Sequence, residues 1–113
     1  MDMKKFIVAF KGIGYFFSNE LNAKIHFLIS LVVVSSGVYF QITITEWCLI
    51  VFSIALVFTA EILNTAIERS MDLVSPEKDI RVGQIKDIAA GAVLFASIMA
   101  AIIGLLIFVP YLM

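Results

Sequence analysis

Residues 61–72, Glu61-Ile62-Leu63-Asn64-Thr65-Ala66-Ile67-Glu68-Arg69-Ser70-Met71-Asp72, continue the apolar run Trp47–Ala60 without a break. They read as the end of the same membrane helix. At 100° per residue, Glu61, Asn64, Thr65, Glu68 and Asp72 fall at about 0°, 300°, 40°, 340° and 20°, one polar face about 100° wide. Carboxylates at membrane depth are costly unless they face a bundle interior, a partner or a cation. Glu61 sits roughly 21 Å along the helix from Trp47, inside a hydrocarbon core of about 30 Å, and Glu68 about 10 Å further on. The stripe therefore starts at the membrane boundary and runs out into water.

The rest of the chain agrees with a membrane setting. Of its 113 residues, 62% are hydrophobic, and the mean hydropathy is +1.06, values typical of integral membrane proteins. One domain, residues 1–113, accounts for the whole length. So few spans leave little room for an internal site, so an active site would need neighbouring copies. A net charge of −1 without a basic tract gives no reason to expect nucleic acid. The lone Cys48 excludes an intrachain disulfide and a cysteine metal cluster. The first long apolar run starts near Ile25 and lacks a convincing cleavage site, so it is expected to be a retained span.

Outward from the stripe, an all-α membrane protein emerges: an N-terminal surface helix over about 3–18 and spans over about 25–44, 47–70 and 87–110. Phe6, Phe10, Ile13 and Phe17 fall within about 60° on a helical wheel, away from Lys4, Lys5 and Lys11. That pattern fits an amphipathic helix lying on the membrane; the alternative is a soluble core helix. If this helix runs unbroken, Glu20 falls on its apolar side, though Ser18-Asn19 could interrupt it. His26 reads as an interfacial hydrogen-bonding residue rather than a ligand. Gln41–Glu46 reads as a short polar turn with a solvated Glu46, flanked by Tyr39, Phe40 and Trp47 as an aromatic belt. Ser75-Pro76 ends the second helix, and Glu77–Gln84 reads as a charged loop. Ala92, Ala96, Ala100 and Gly104, four residues apart, suit close helix packing in lipid.

All eight basic residues (4, 5, 11, 24, 69, 78, 81 and 86) avoid the 41–46 turn and the C-terminus. The positive-inside rule then puts the N-terminus and the 73–85 loop in the cytoplasm and the C-terminus outside. Glu20, the acidic stripe and Lys86-Asp87 thereby converge on one cytoplasmic layer. The groups available there are Glu20, Glu61, Glu68, Asp72, Asp87, Asn64, Arg69 and Lys86. With no Cys/His cluster, zinc is not expected. Hard oxygen ligands suit Mg²⁺, a lysine suits phosphate, and a carboxylate at the boundary can take a hydroxyl proton. These are the parts of a phosphoryl transfer between a water-soluble nucleotide and a lipid hydroxyl. No P-loop motif is present, and Gly12-Ile13-Gly14 is too short for a dinucleotide fingerprint. From the residues alone, an enzyme and an ion or solute pathway built on the same carboxylates stand level; an assembly or scaffold subunit whose acidic stripe pairs with a partner is a third reading.

Glu61-x-x-Asn64-Thr65-Ala66-x-Glu68, then Asp72, then Lys86-Asp87-x-Ala89-Ala90-Gly91, resembles the signature of the bacterial diacylglycerol kinases, small three-span membrane lipid kinases. The likeness extends over nearly the whole chain. Glu20-x-Asn22-x-x-Ile25-His26 resembles the element of the branch that phosphorylates undecaprenol. The resemblance implies a homotrimeric bundle in the bacterial cytoplasmic membrane with active sites shared between subunits. It implies Glu61 as the general base, Asn64 as an orienting group, and Glu20 and Glu68 as ligands of the Mg²⁺ that accompanies ATP and so as part of the nucleotide site. It also implies nucleotide contacts from Lys86 and Asp87, and from the loop residues Glu77, Lys78 and Asp79. Asp72 fits the motif, with catalysis and anchoring of the 73–85 loop both open as its role.

Overall fold

The computed structural model describes residues 2–113 and is entirely helical. Its elements are α1 (Met3–Asn19), α2 (Leu21–Phe40), α3 (Ile44–Val74) and α4 (Ile80–Leu112). The last three are long and apolar enough to cross a membrane, which makes this a membrane protein with three spans. The 31 residues of α3 and 33 of α4 exceed what a bilayer requires, since about 20 residues suffice. Both helices therefore project beyond a hydrocarbon layer.

Each break has a local cause. The chain leaves helical geometry at Glu20 (φ −112°, ψ 120°), so the carboxylate does not continue the face of α1. Ser18 and Asn19 remain helical, and the Asn19 amide donates to the Tyr15 carbonyl. The α2–α3 turn is tighter than the sequence suggests. Gln41 adopts a left-handed conformation (φ 53°), and its N–H closes α2. Thr43 and Glu46 then start α3 with reciprocal side-chain-to-backbone bonds of 2.9 and 3.2 Å. This arrangement satisfies amide groups that a helix start leaves open. Glu46 is thus half-buried rather than solvated: it caps α3 and also accepts from the Tyr111 hydroxyl of α4.

The loop before α4 covers only residues 75–79, not 77–84, and α4 begins at Ile80. Asp79 is the reason: its carboxylate accepts from the Arg81 N–H at 2.8 Å and from the Arg81 guanidinium at 3.1 Å. The Arg81 side chain, then its backbone N–H, holds this carboxyl below its ordinary value of 3.8. Its support of the α4 start is complete above that value and is lost as pH falls through the lowered one.

α3 and α4 pack as an antiparallel pair, α2 leans on α3, and α1 touches α2 and α3. The core is small: Ile42, Ile50 and Ile107, with Val33, Phe40, Trp47, Phe108 and Tyr111 around them. Trp47 lies in this cluster rather than only at an aromatic rim. A Cβ on Gly37 would meet Trp47 Cη2 at 2.7 Å. Gly37→Ala is therefore expected to lower stability by about 1–3 kcal/mol through overpacking, read as a lower melting temperature in detergent.

Elsewhere one chain buries little. Its radius of gyration is 16.9 Å, against about 13 Å for a compact chain of this length. Apolar side chains on all three spans stay exposed, among them Val32, Phe52 and Phe95. Of the small-residue stripe, only Ala96 is buried; Ala92 is exposed, and Ala100 and Gly104 line a cavity. On α1, Phe6, Phe10 and Ile13 are exposed, while Phe16 is buried and Phe17 meets Phe27 and Phe58.

Candidate active site

The acidic stripe of α3 forms a gradient. Glu61 is buried, Asn64, Thr65 and Glu68 are half-buried, and Asp72 is exposed. Helical spacing sets this directly, because one face points inward at the packed end of α3 and emerges where the neighbours end.

Glu61 is only 5% exposed. A carboxylate taken out of water needs a partner, and His26 of α2 provides it, with Nε2 at 2.9 Å from Glu61 Oε1. The imidazole stands edge-on to Phe58, with ring centres 6.4 Å apart. One helical turn on from Glu61, the Asn64 amide donates to Glu68 Oε1 at 3.2 Å. Asn64 Oδ1 is buried with no hydrogen-bond partner among the described residues, on the stretch between the two glutamates.

Glu20 is brought to α3 by Arg69, whose Nη2 lies 3.0 Å from Glu20 Oε1. The same guanidinium lies over the Tyr15 ring, 4.9 Å from its centre. Arg69 thus ties the α1–α2 joint to the stripe. Lys86 of α4 pairs with Asp72 of α3 across the loop. This contact ties α3 to α4 and places Lys86 at the loop.

A groove of about 420 Å³ opens there, lined by Asp72, Glu77, Lys78, Asp79, Gly83 and Lys86. It gathers four of the expected nucleotide contacts, Glu77, Lys78, Asp79 and Lys86. Asp87 is exposed and is not part of its lining. A second, apolar cavity of about 310 Å³ lies among α2, α3 and α4. His26 and Phe58 line it, followed by Ser30, Val57, Ser97, Ala100 and Gly104.

Among the described residues, no three His, Cys, Asp or Glu side chains converge to hold a metal ion. Glu20 and Glu68 therefore do not complete a protein cage within one chain. Two carboxylates do fit Mg²⁺, which commonly takes one or two and completes its shell with phosphate oxygens and water. The sequence reads His26 as an interfacial hydrogen-bonding residue and puts Arg69 and Asp72 in the polar layer, but it does not say which groups they pair with. Each pairing joins different helices, and helical periodicity carries no signal for such contacts.

The chain matches the model of the family described as prokaryotic diacylglycerol kinase over residues 7–108. It is 38% identical to the undecaprenol kinase of Bacillus subtilis (strain 168), across 95% of this chain and 87% of that protein. It is 32% identical to the diacylglycerol kinase of Synechocystis sp. (strain ATCC 27184 / PCC 6803 / Kazusa), across 93% of this chain and 61% of that protein. Three apolar spans bearing this polar constellation define a membrane-bound phosphotransferase of the lipid-kinase class. The chain belongs to the prokaryotic diacylglycerol kinase family. That membership separates the enzyme from the ion pathway, which the residues alone left level.

Proposed function

We propose that the protein transfers the γ-phosphoryl group of ATP to a lipid alcohol of the undecaprenol type at the cytoplasmic membrane face. The observation that carries this reading is the buried Glu61 carboxylate, whose partner His26 also lines an apolar cavity. A hydroxyl at the end of an apolar chain in that cavity reaches a base at the membrane boundary. The Glu20–His26 element and the relative named undecaprenol kinase favour a polyprenol over a diacylglycerol.

In the reaction, Glu61 takes the hydroxyl proton while the lipid oxygen bonds to the γ-phosphorus. The bond from that phosphorus to the β–γ bridging oxygen breaks, and ADP leaves. Catalysis of this kind is mostly positioning and charge stabilisation. Asn64 Oδ1, free and buried, accepts a hydrogen bond that orients the reacting groups. Lys86, Lys78 and the rest of the loop groove receive the nucleotide, with Asp87 contributing from its edge. Glu20 and Glu68 would hold Mg²⁺, which would supply charge neutralisation of the phosphates when bound; the pair with Arg69 is made by Glu20 Oε1.

The sparse core and exposed apolar spans support assembly as a homotrimer with sites shared between copies. The exposed Phe6–Phe10–Ile13 face of α1 supports its lying on the membrane surface. The basic residues support a cytoplasmic N-terminus in the bacterial inner membrane. Vesicles containing the purified protein test the reading. ATP consumption should begin only when a lipid alcohol is present, whereas ion flux without ATP consumption would contradict it.

A further inference from the structure

The general base needs more than a carboxylate at the right depth. It needs one oxygen held and the other aimed, and the contacts of Glu61 supply an asymmetry of that kind. Oε1 lies 2.9 Å from His26 Nε2, and this is the one charged contact of the carboxylate among the described residues, made by Oε1 and not by Oε2. The imidazole is itself constrained. Phe58, three residues before Glu61 on α3, packs edge-on against it, and Phe17 of α1 packs on Phe58 at 5.4 Å. The Ser30 hydroxyl donates to the His26 carbonyl at 2.8 Å, fixing that turn of α2. The His26 side chain is 24% exposed and that of Glu61 6%, so the carboxylate is the more deeply buried member of the pair.

We infer that His26 is a positioning residue for phosphoryl transfer: its Nε2–H holds Glu61 Oε1 so that Oε2 faces the lipid hydroxyl. The inference rests on the reading of Glu61 as the base. A misplacement of about 1 Å in such a group can cost about 100-fold in rate. His26 acts on kcat through Glu61. As one wall of the apolar cavity, it would instead act on lipid binding.

The test is steady-state kinetics of the full-length protein with undecaprenol and ATP, alongside thermal melts in the same detergent. His26→Ala should lower kcat by about 10- to 100-fold, with KM for both substrates nearly unchanged. His26→Gln places an amide N–H near the Nε2 position and should recover most of the loss. In the Glu61→Gln background, His26→Ala should cause no further loss. Unchanged kcat in His26→Ala, or a raised lipid KM at unchanged kcat, would overturn the inference. So would a loss that tracks a lower melting temperature and is not recovered by His26→Gln. Glu61→Gln alone separates the two readings. If it is active, the base assignment fails; if it is inactive while His26→Ala is fully active, only the role of His26 fails.

Discussion

Glu61→Gln is expected to lower kcat by about 10³-fold, within the range of 10²–10⁴ that a positioned general base contributes. That corresponds to about 4 kcal/mol of transition-state stabilisation. The substitution is nearly isosteric. A glutamine Oε1 can stand at the same place, 2.9 Å from His26 Nε2, and the neutral amide is easier to bury than the carboxylate. Fold and assembly should therefore survive, checked by melting temperature and by elution volume in detergent. The change removes the negative charge and, with it, the ability to accept a proton. Full activity in a well-assembled Glu61→Gln protein would remove Glu61 as the base.

The second large effect concerns the metal. Glu20→Gln and Glu68→Gln should each raise the Mg²⁺ concentration for half-maximal activity by on the order of 10- to 100-fold, as expected when a hard anionic ligand becomes neutral. The hydrogen bond from Asn64 to residue 68 can persist in Glu68→Gln, so that variant isolates the charge. Glu20→Gln also loses its ion pair with Arg69, which could disturb the α1–α2 joint. Arg69→Gln is the control: it breaks the same ion pair and the contact with Tyr15 yet leaves both carboxylates in place. Its Mg²⁺ requirement should not rise. Magnesium titrations at saturating ATP decide the matter, and an unchanged titration in both Glu variants would exclude them as ligands.

The long-range design of the fold was legible because it depends on composition and periodicity. Length and hydropathy define the three spans, and the spacing from Glu61 to Asp72 defines a polar stripe that passes from buried to exposed. What escaped depended on caps and on contacts between helices. Glu46 appeared solvated, because the Thr43–Glu46 capping pair was not read and the hydroxyl of Tyr111 is distant in sequence. The charged segment 77–84 appeared to be loop, although Asp79 is an N-cap that turns residues from Ile80 onward into helix. The sequence places Arg69 among the cations of the layer without a partner assigned, and the break at Glu20 brings that carboxylate to it.

The candidate site divides in the same way. The residues of one helix face, Glu61, Asn64 and Glu68, could be grouped from sequence alone. The distribution of basic residues also brings Glu20 to the same layer, but the pairing of His26 with Glu61 is not legible, since nothing local couples α2 to α3. The groove lined by Glu77, Lys78, Asp79 and Lys86 is an intermediate case. Its members lie close in sequence, so a short loop between antiparallel helices necessarily gathers them, whereas Asp87 points out of that set because adjacent helical residues lie about 100° apart.

The measurement that bears most directly on the function is phosphate transfer from γ-labelled ATP with Mg²⁺ by the purified protein in mixed micelles. Undecaprenol and diacylglycerol are offered in separate reactions. Label entering undecaprenol, abolished in Glu61→Gln, is the expected result. Label entering diacylglycerol alone would contradict the polyprenol assignment, and label in neither lipid from a well-folded protein would contradict the kinase mechanism itself.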